Sequence, residues 1–209
     1  MKLSFSTRGW KNLKWNELTD IAEDMRFSGI ELYKLKEEEG FFERGCPLDK
    51  YSVAATMREL RDRNISIPVL DTAVELAEDS CIEELTWYME MAATMRVGMV
   101  GAVALIDDEE SIKRNISKLS EICERTGVKL AIKTTGIYAD TARLRALLDS
   151  FASDNLVVTW DMHHPYYDLK ESADTTIKNL GAYVKHVHLR DSSEDGSYTI
   201  IGEGTLPVE

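Results

Sequence analysis

Short apolar runs alternate with longer amphipathic stretches along this chain. Seven runs rich in β-branched or apolar residues are predicted to be strands. The predicted strands cover 2–7, 29–35, 65–72, 97–105, 129–135, 156–161 and 184–190. Five stretches between them carry apolar residues at the i, i+3, i+4, i+7 spacing of an amphipathic helix. The predicted helices cover 16–27, 53–64, 82–95, 109–127 and 140–151. Asp140 suits a helix N-cap and Gly127 suits a helix C-terminus.

The order of these elements predicts a parallel sheet. Strand, helix, strand, helix is the pattern of right-handed βαβ units, and seven such units in a row favour a TIM-type α/β barrel. A Rossmann-type open sheet usually has a glycine-rich turn after its first strand, but this turn reads TRGW. A flavodoxin-like sheet remains an alternative, although it needs fewer strands. No linker is visible, so one domain spanning 1–209 is expected.

Alternation along the strands predicts which side chains face the barrel axis. Neighbouring residues of a strand point to opposite faces, and the apolar positions suit the helix layer. The polar residues expected to face inward near the strand ends are Glu31, Tyr33, Lys133, Asp161, His186 and His188. Active sites of TIM barrels form at the C-terminal ends of the strands, so these residues are candidates for a site.

All four histidines of the chain lie in two short stretches, WDMHH and VKHVHLR. Neutral imidazole and carboxylate groups are common ligands of Zn, Mn and Fe, and they also serve as acid and base. Asp161 and His188 are the main candidates, followed by His164. His163 and His186 are expected to support these neighbours. The alternative is that the histidines only pack, as lone histidines often do.

The charge of the chain limits its partners. The formal net charge is -12, and such a surface repels phosphate backbones and anionic lipids. We therefore expect neither a nucleic acid partner nor a membrane partner. No apolar run has the length of a signal peptide or a membrane span. Three cysteines far apart in sequence are typical of reduced thiols, which favours a cytoplasmic location.

Several motifs together resemble the xylose isomerase-like TIM barrels. These motifs are TRGW, FSGIELYK, WDMHHP, KHVHLRD and GEGTLP, and the resemblance covers essentially the whole chain. The superfamily includes sugar phosphate isomerases and epimerases, ketose 3-epimerases, inosose isomerases and dehydratases, and endonuclease IV. The resemblance implies a divalent metal (Mn, Zn, Mg or Co) held by a Glu, an Asp, a His and a second Glu on strands 5 to 8. Asp161 and His188 match the Asp and the His.

The resemblance also implies a substrate and a reaction. The substrate is a small sugar or polyol, with His164 and Glu203 beside it, and Arg190 and Tyr33 as further contacts. Relatives move a proton between carbons next to a carbonyl, and the metal stabilises the enediolate. An endonuclease IV-like activity is disfavoured, because that chemistry uses a richer set of histidines.

Two features depart from the family pattern. Lys133 stands where relatives have the strand-5 glutamate, and a protonated lysine cannot bind a metal. We expect the Lys133 ammonium to pair with Asp161 instead, with Glu31 as a possible third ligand. The sequence ends at GEGTLPVE, where the eighth strand and the last helix of the family barrel are missing. The resulting open seam predicts a homodimer or low stability.

Two functions follow as hypotheses. The first is a sugar, sugar phosphate or cyclitol isomerase or epimerase that works by metal-assisted proton transfer, with Lys133 and Glu31 as catalytic residues. The second is a barrel of the same fold with impaired catalysis that binds a carbohydrate or a partner. A Schiff-base lyase that uses Lys133 is a third, weaker possibility.

Overall fold

A parallel sheet of seven strands forms the centre of the protein. The computed structural model describes residues 2–10, 12–37 and 46–207. The strands follow one another in sequence order across the sheet, and each neighbouring pair is parallel. They are β1 (Ser4–Ser6), β2 (Gly29–Tyr33), β3 (Leu70–Glu75), β4 (Met99–Val103), β5 (Lys129–Lys133), β6 (Leu156–Asp161) and β7 (Val184–His188). This curled α/β sheet confirms the predicted TIM-type architecture with seven strands.

Helices connect each strand to the next. They are α1 (Trp15–Asp24), α2 (Val53–Asp62), α3 (Cys81–Met95), α4 (Glu109–Thr126), α5 (Thr141–Phe151), α6 (His163–Leu169) and α7 (Ala173–Leu180). Short 3-10 turns cover Thr7–Gly9, Leu35–Glu37 and Gly136–Ala139. After β7, an antiparallel pair follows, formed by β8 (Asp191–Ser192) and β9 (Tyr198–Thr199).

The helix ends agree with the sequence signals. The Asp140 side chain accepts a hydrogen bond from the Arg143 backbone N–H at 3.0 Å, which caps α5. Gly127 ends α4 with a φ of 70°, in the left-handed region that glycine adopts without a steric penalty. Both predicted ends are therefore confirmed.

The predicted start of the third strand was wrong. The third strand begins at Leu70 rather than at residue 65, since Pro68 has no N–H to donate and only an isolated bridge joins Ser66 to Gly29. After β6, Tyr166 and Tyr167 lie in α6. Pro165 is compatible with this helix because the N–H groups of a first turn have no intrahelical partner.

The hydrophobic core lies between the sheet and the helices. Alternate strand residues such as Ile30, Leu32 and Val158 are fully buried there. The helices supply the facing apolar positions, among them Leu18, Leu85, Leu119 and Leu144. Burying one such side chain stabilises the fold by about 1.5–3 kcal/mol. The apolar residues thus fill the outer face of the sheet, and the polar groups described below lie on its inner face.

The sheet curls until distant strands meet. Glu31 on β2 forms hydrogen bonds with His186 and His188 on β7, although four strands separate β2 from β7 in the sheet order. Such contacts are possible only if the inner face closes on itself. The curl therefore brings residues from both ends of the chain into one place.

The outer face of β7 differs from that of the central strands. Val187 and Leu189 point away from the inner face as expected, but they are 44% and 47% exposed. A second copy of the chain over this face remains a prediction. Among the described residues, no helix combines the length and the apolar character needed to cross a bilayer.

Candidate functional site

One carboxylate and two imidazoles form a cluster on the inner face. The Glu31 Oε2 atom lies 2.9 Å from His186 Nε2 and 2.6 Å from His188 Nε2. Side-chain exposure is 3% for Glu31, 13% for His186 and 20% for His188. The two histidines are two residues apart on β7, so both point to the same face. Because an ionised carboxylate only accepts hydrogen bonds, both Nε2 atoms are assigned a hydrogen. We call these three residues the Glu–His–His cluster.

The histidines keep Glu31 ionised. Burial by itself raises the pKa of the Glu31 carboxyl. The hydrogen bonds from His186 and His188, together with their charges, outweigh burial and hold this pKa well below its ordinary value. The cluster therefore contains a carboxylate that is ionised at neutral pH and almost inaccessible to water.

Lys133 forms a second buried group, with Asp71. The Lys133 Nζ atom lies 2.6 Å from Asp71 Oδ2, and the two side chains are 5% and 3% exposed. The pair spans β4 at Gly101, where an added Cβ would lie 3.1 Å from Asp71 Oδ1. Asp71 Oδ1 has no hydrogen-bond partner among the described residues. The glycine thus leaves room for the carboxylate between β3 and β5.

The predicted pairing of Lys133 with Asp161 was wrong. In the register of β5 and β6, Lys133 lies opposite Thr159, so Asp161 is two residues further along. The lysine side chain instead extends over β4 toward Asp71. An ion pair on the inner face depends on this register, which the alternation of residues does not specify.

Asp161 forms an ion pair with Arg190. Its Oδ2 atom lies 2.9 Å from Arg190 Nη2, and its Oδ1 atom accepts from Arg190 Nε at 3.2 Å. The backbone N–H of His163 also donates to Oδ1 at 3.2 Å. Asp161 lies opposite His188 in the register of β6 and β7. The two predicted metal ligands are thus on adjacent strands, but the carboxylate is bound to a guanidinium.

The remaining predicted site residues have separate partners. His164 Nδ1 lies 2.9 Å from Asp168 Oδ2 within α6. The Tyr33 ring lies under the Arg8 guanidinium, 5.1 Å from the ring centroid. Glu203 is exposed in the segment after β9. Tyr33 is the last residue of β2, His164 follows β6 and Glu203 follows β9.

Asp191 organises the segment after β7. Its buried carboxylate accepts hydrogen bonds from the backbone N–H groups of Leu206, Gly202, Gly204 and Ser192. These bonds, from Leu206 first, lower the pKa of the Asp191 carboxyl. A Cβ on Gly204 would lie 2.3 Å from Asp191 Oδ1, so only glycine fits there. One side chain therefore holds the loop that carries Glu203.

The roles of three residues in these contacts were not predicted from the sequence. His186 was expected to support its neighbour, yet it contacts Glu31 as directly as His188 does. Asp71 was not identified, although it is the single carboxylate in the run ISIPVLDT. Asp191 was not identified either, although HLRD and GEG contain the acid and two of its glycine partners.

The Glu–His–His cluster fits a metal ion better than the site around Asp161 that the resemblance implies. At Asp161, both carboxylate oxygens are engaged by Arg190, and Lys133 replaces the expected glutamate. The ligand atoms of Glu31, His186 and His188 all lie within 4.8 Å of one another. One carboxylate and two imidazoles are a donor set that suits Zn and related ions.

Comparisons with known proteins agree with this architecture. The model of the xylose isomerase-like TIM barrel family matches residues 19–209. The probable 3-DHS dehydratase AsbF from Bacillus anthracis, involved in petrobactin synthesis, has a TM-score of 0.80 at 15% identity, over 99% of this chain and 85% of that one. The IolI protein, solved with a zinc atom, has a TM-score of 0.80 at 19% identity, over 100% and 82%. A D-tagatose 3-epimerase-like protein has a TM-score of 0.75 at 18% identity, over 99% and 83%. No curated protein matches the sequence.

Proposed function

This chain belongs to the xylose isomerase-like TIM barrel family, and on that basis we propose that it is an isomerase or epimerase of a small sugar, sugar phosphate or cyclitol. The reaction moves a proton between carbons next to a carbonyl group. The Glu–His–His cluster is the observation that carries the proposal. It combines an ionised carboxylate with two imidazoles on the inner face, and His188 ends its strand at the edge where TIM barrels react.

We place the carbonyl group of the substrate at the Glu–His–His cluster. Negative charge that develops on an enediolate oxygen needs nearby donors in a site of low polarity. The Nε2–H groups of His186 and His188 already donate to Glu31, so a bound cation rather than these hydrogens would stabilise that charge. A divalent cation held by the same three residues would supply Lewis-acid polarisation of the carbonyl.

His164 is the proposed proton carrier. Asp168 accepts a hydrogen bond at 2.9 Å from His164 Nδ1, which places the ring hydrogen on Nδ1 and leaves the lone pair on Nε2. An imidazole oriented in this way by a carboxylate is suited to general base catalysis. His164 lies in the first turn of α6, directly after β6.

The hydroxyl groups of the substrate need hydrogen-bond donors and acceptors near the carbonyl group. We assign this part to Arg190, Tyr33 and Glu203, whose guanidinium, phenol and carboxylate supply both. Lys133 receives a positioning role, because its ammonium is buried and bound to Asp71. A Schiff base at Lys133 is disfavoured, since its nitrogen is buried and bound to Asp71 at 2.6 Å.

The test is proton exchange in deuterated water. The full chain is incubated with ketoses or inososes, after chelation and after addition of Mn²⁺, Co²⁺ or Zn²⁺, and NMR follows the C–H signals next to the carbonyl. We expect loss of one such signal and the appearance of an epimer or isomer. His164→Asn is expected to abolish exchange, whereas Lys185→Gln is expected to retain it, because Lys185 lies on the exposed face of β7. Absence of exchange with all substrates and metals would reject the proposed reaction.

A second candidate function is carbohydrate binding without turnover. The observation that favours it is the Lys133–Asp71 pair, which places a buried ion pair where relatives have a metal-binding glutamate. A ligand that binds only the folded state raises the melting temperature. A concentration-dependent rise with a sugar or cyclitol, without any proton exchange, would favour this candidate over the first.

A further inference from the structure

We infer that Glu31, His186 and His188 bind one divalent transition-metal ion of the Zn²⁺ or Co²⁺ type, at a position different from the Asp161 site that the resemblance implies. The inference rests on the same cluster as the proposed function and names its cofactor. Metal binding is measured without any substrate, so its failure and the failure of the proposed reaction can be told apart.

The spacing of the two histidines supports the site. Residues two apart on a strand project from the same face, and the side chains of His186 and His188 are neighbours on the inner face of β7. Their ring centroids are 5.1 Å apart and the ring planes are nearly perpendicular, at 87°. The rings converge with both Nε2 atoms on one point, Oε2 of Glu31. A strand with this pattern offers two ligands without any change of backbone.

Glu31 is the proposed third ligand, and its Oε2 atom already lies next to both Nε2 atoms. Glu31 Oε2 lies 2.9 Å and 2.6 Å from the two Nε2 atoms. In a tetrahedral site with bonds of ~2.1 Å, ligand atoms are about 3.4 Å apart. Each of the two distances from Oε2 therefore needs to lengthen by less than about 1 Å, and all three ligand atoms already lie within 4.8 Å of one another. The two Nε2 hydrogens leave when the metal binds, since a metal needs the lone pair.

The charges around the cluster favour a cation there and disfavour one at Asp161. Glu31 is a buried anion whose partners are imidazoles rather than fixed cations. A divalent ion can displace their protons and neutralise the carboxylate. Both carboxylate oxygens of Asp161 are already bound by the guanidinium of Arg190. A metal at Asp161 would have to displace this guanidinium.

A metal in the cluster would also connect two strands that are not neighbours. Glu31 belongs to β2 and the histidines belong to β7, and the sheet order does not pair these strands. The ion would link β2 to β7, which share no backbone hydrogen bonds in the sheet. Metal binding is therefore expected to raise the melting temperature of the whole chain.

The experiment is a titration of the chelated, full-length chain with Co²⁺ and, in parallel, with Zn²⁺. Visible absorption reports the coordination of Co²⁺, and calorimetry gives the affinity and stoichiometry for Zn²⁺. We expect one ion per chain, visible bands typical of four or five ligands, and a higher melting temperature. His186→Asn and Glu31→Gln should each reduce affinity by more than the ~10–100-fold that loss of an outer partner costs.

Matched variants exclude other positions for the ion. Lys185→Gln, on the opposite face of the same strand, should leave the affinity unchanged, and so should Asp161→Asn and His164→Asn. Circular dichroism of each metal-free variant checks folding, and His186→Asn serves if Glu31→Gln does not fold. The inference is overturned if the wild type binds neither ion. It is equally overturned if Asp161→Asn abolishes binding while His186→Asn retains it.

Discussion

Two buried carboxylates on the inner face, Glu31 and Asp71, are neutralised in different ways. Asp71 pairs with the ammonium of Lys133, a charge that stays with the protein. Glu31 shares one oxygen between two imidazoles, whose protons can leave. The first arrangement is a fixed ion pair that contributes to structure. The second is an exchangeable one, so it is the better candidate for chemistry, although both carboxylates are only 3% exposed.

The largest expected effect comes from breaking the fixed pair. Lys133→Met leaves Asp71 buried and unpaired, and such a loss costs about 3–5 kcal/mol. Urea unfolding at neutral pH measures this change in the free energy of unfolding. Lys133→Met combined with Asp71→Leu removes both charges and should recover most of the loss. A single-variant cost under about 1 kcal/mol would mean that the pair is not buried as described.

The exchangeable cluster predicts a specific dependence of stability on pH. The pKa of Glu31 is lower in the folded chain than its ordinary value of 4.5. Its contribution to stability is therefore complete above pH 4.5 and is lost as the pH falls through the folded-state pKa. Compared with Glu31→Gln, the wild type should be more stable by about 1–3 kcal/mol at neutral pH.

Urea unfolding of both proteins between pH 2 and pH 7 tests this comparison. The difference between wild type and Glu31→Gln should be constant above pH 5 and should shrink on acidification. A difference that grows toward low pH would contradict the assignment of Glu31 as the ionised member. Metal is removed by chelation in both samples, so that only proton binding changes.

A smaller, local effect is expected at the loop that Asp191 holds. Asp191→Asn replaces an ionised acceptor of four backbone N–H groups with a weaker one. Hydrogen exchange at Gly202, Gly204 and Leu206 should become faster, while the amides of β5 and β6 keep their protection. Asp195→Asn, in the turn before β9, is the matched control and should leave these amides unchanged.

The smallest effect is expected for a short ion pair at the surface. Arg125 Nη2 lies 2.8 Å from Glu90 Oε1, but both side chains are more than half exposed. Arg125→Ala should change the free energy of unfolding by less than about 1 kcal/mol, because water solvates and screens such pairs. A cost as large as that of Lys133→Met would show that distance, rather than burial, decides the strength of ion pairs in this chain.

The direction of side chains was predictable from the sequence, but their partners were not. Alternation along β2, β5, β6 and β7 predicted that Glu31, Lys133, Asp161 and His188 face inward, and each contacts another inner-face group. Which group each one meets depends on the register of neighbouring strands and on the curl of the sheet. Neither is encoded within one strand, so the pairing of Lys133 was missed.

The loop after β7 was the least predictable part. Its two strands have only two residues each, which is too short for any alternation to be visible. Its order comes from Asp191, a single side chain that accepts hydrogen bonds from residues up to fifteen positions away. Such a loop resembles an irregular segment in the sequence, and only the contacts show that it is held in place.

The separation of Glu31 and His188 along the chain also bears on the order of folding. Their hydrogen bond joins residues 157 positions apart, and closing a loop of that length costs about 4.5 kcal/mol of chain entropy before the constant term. Local helices and neighbouring strands form at a much smaller entropic cost. During synthesis, Glu31 leaves the ribosome long before either histidine exists. We therefore expect the Glu–His–His cluster to form after the local helices and the pairs of neighbouring strands.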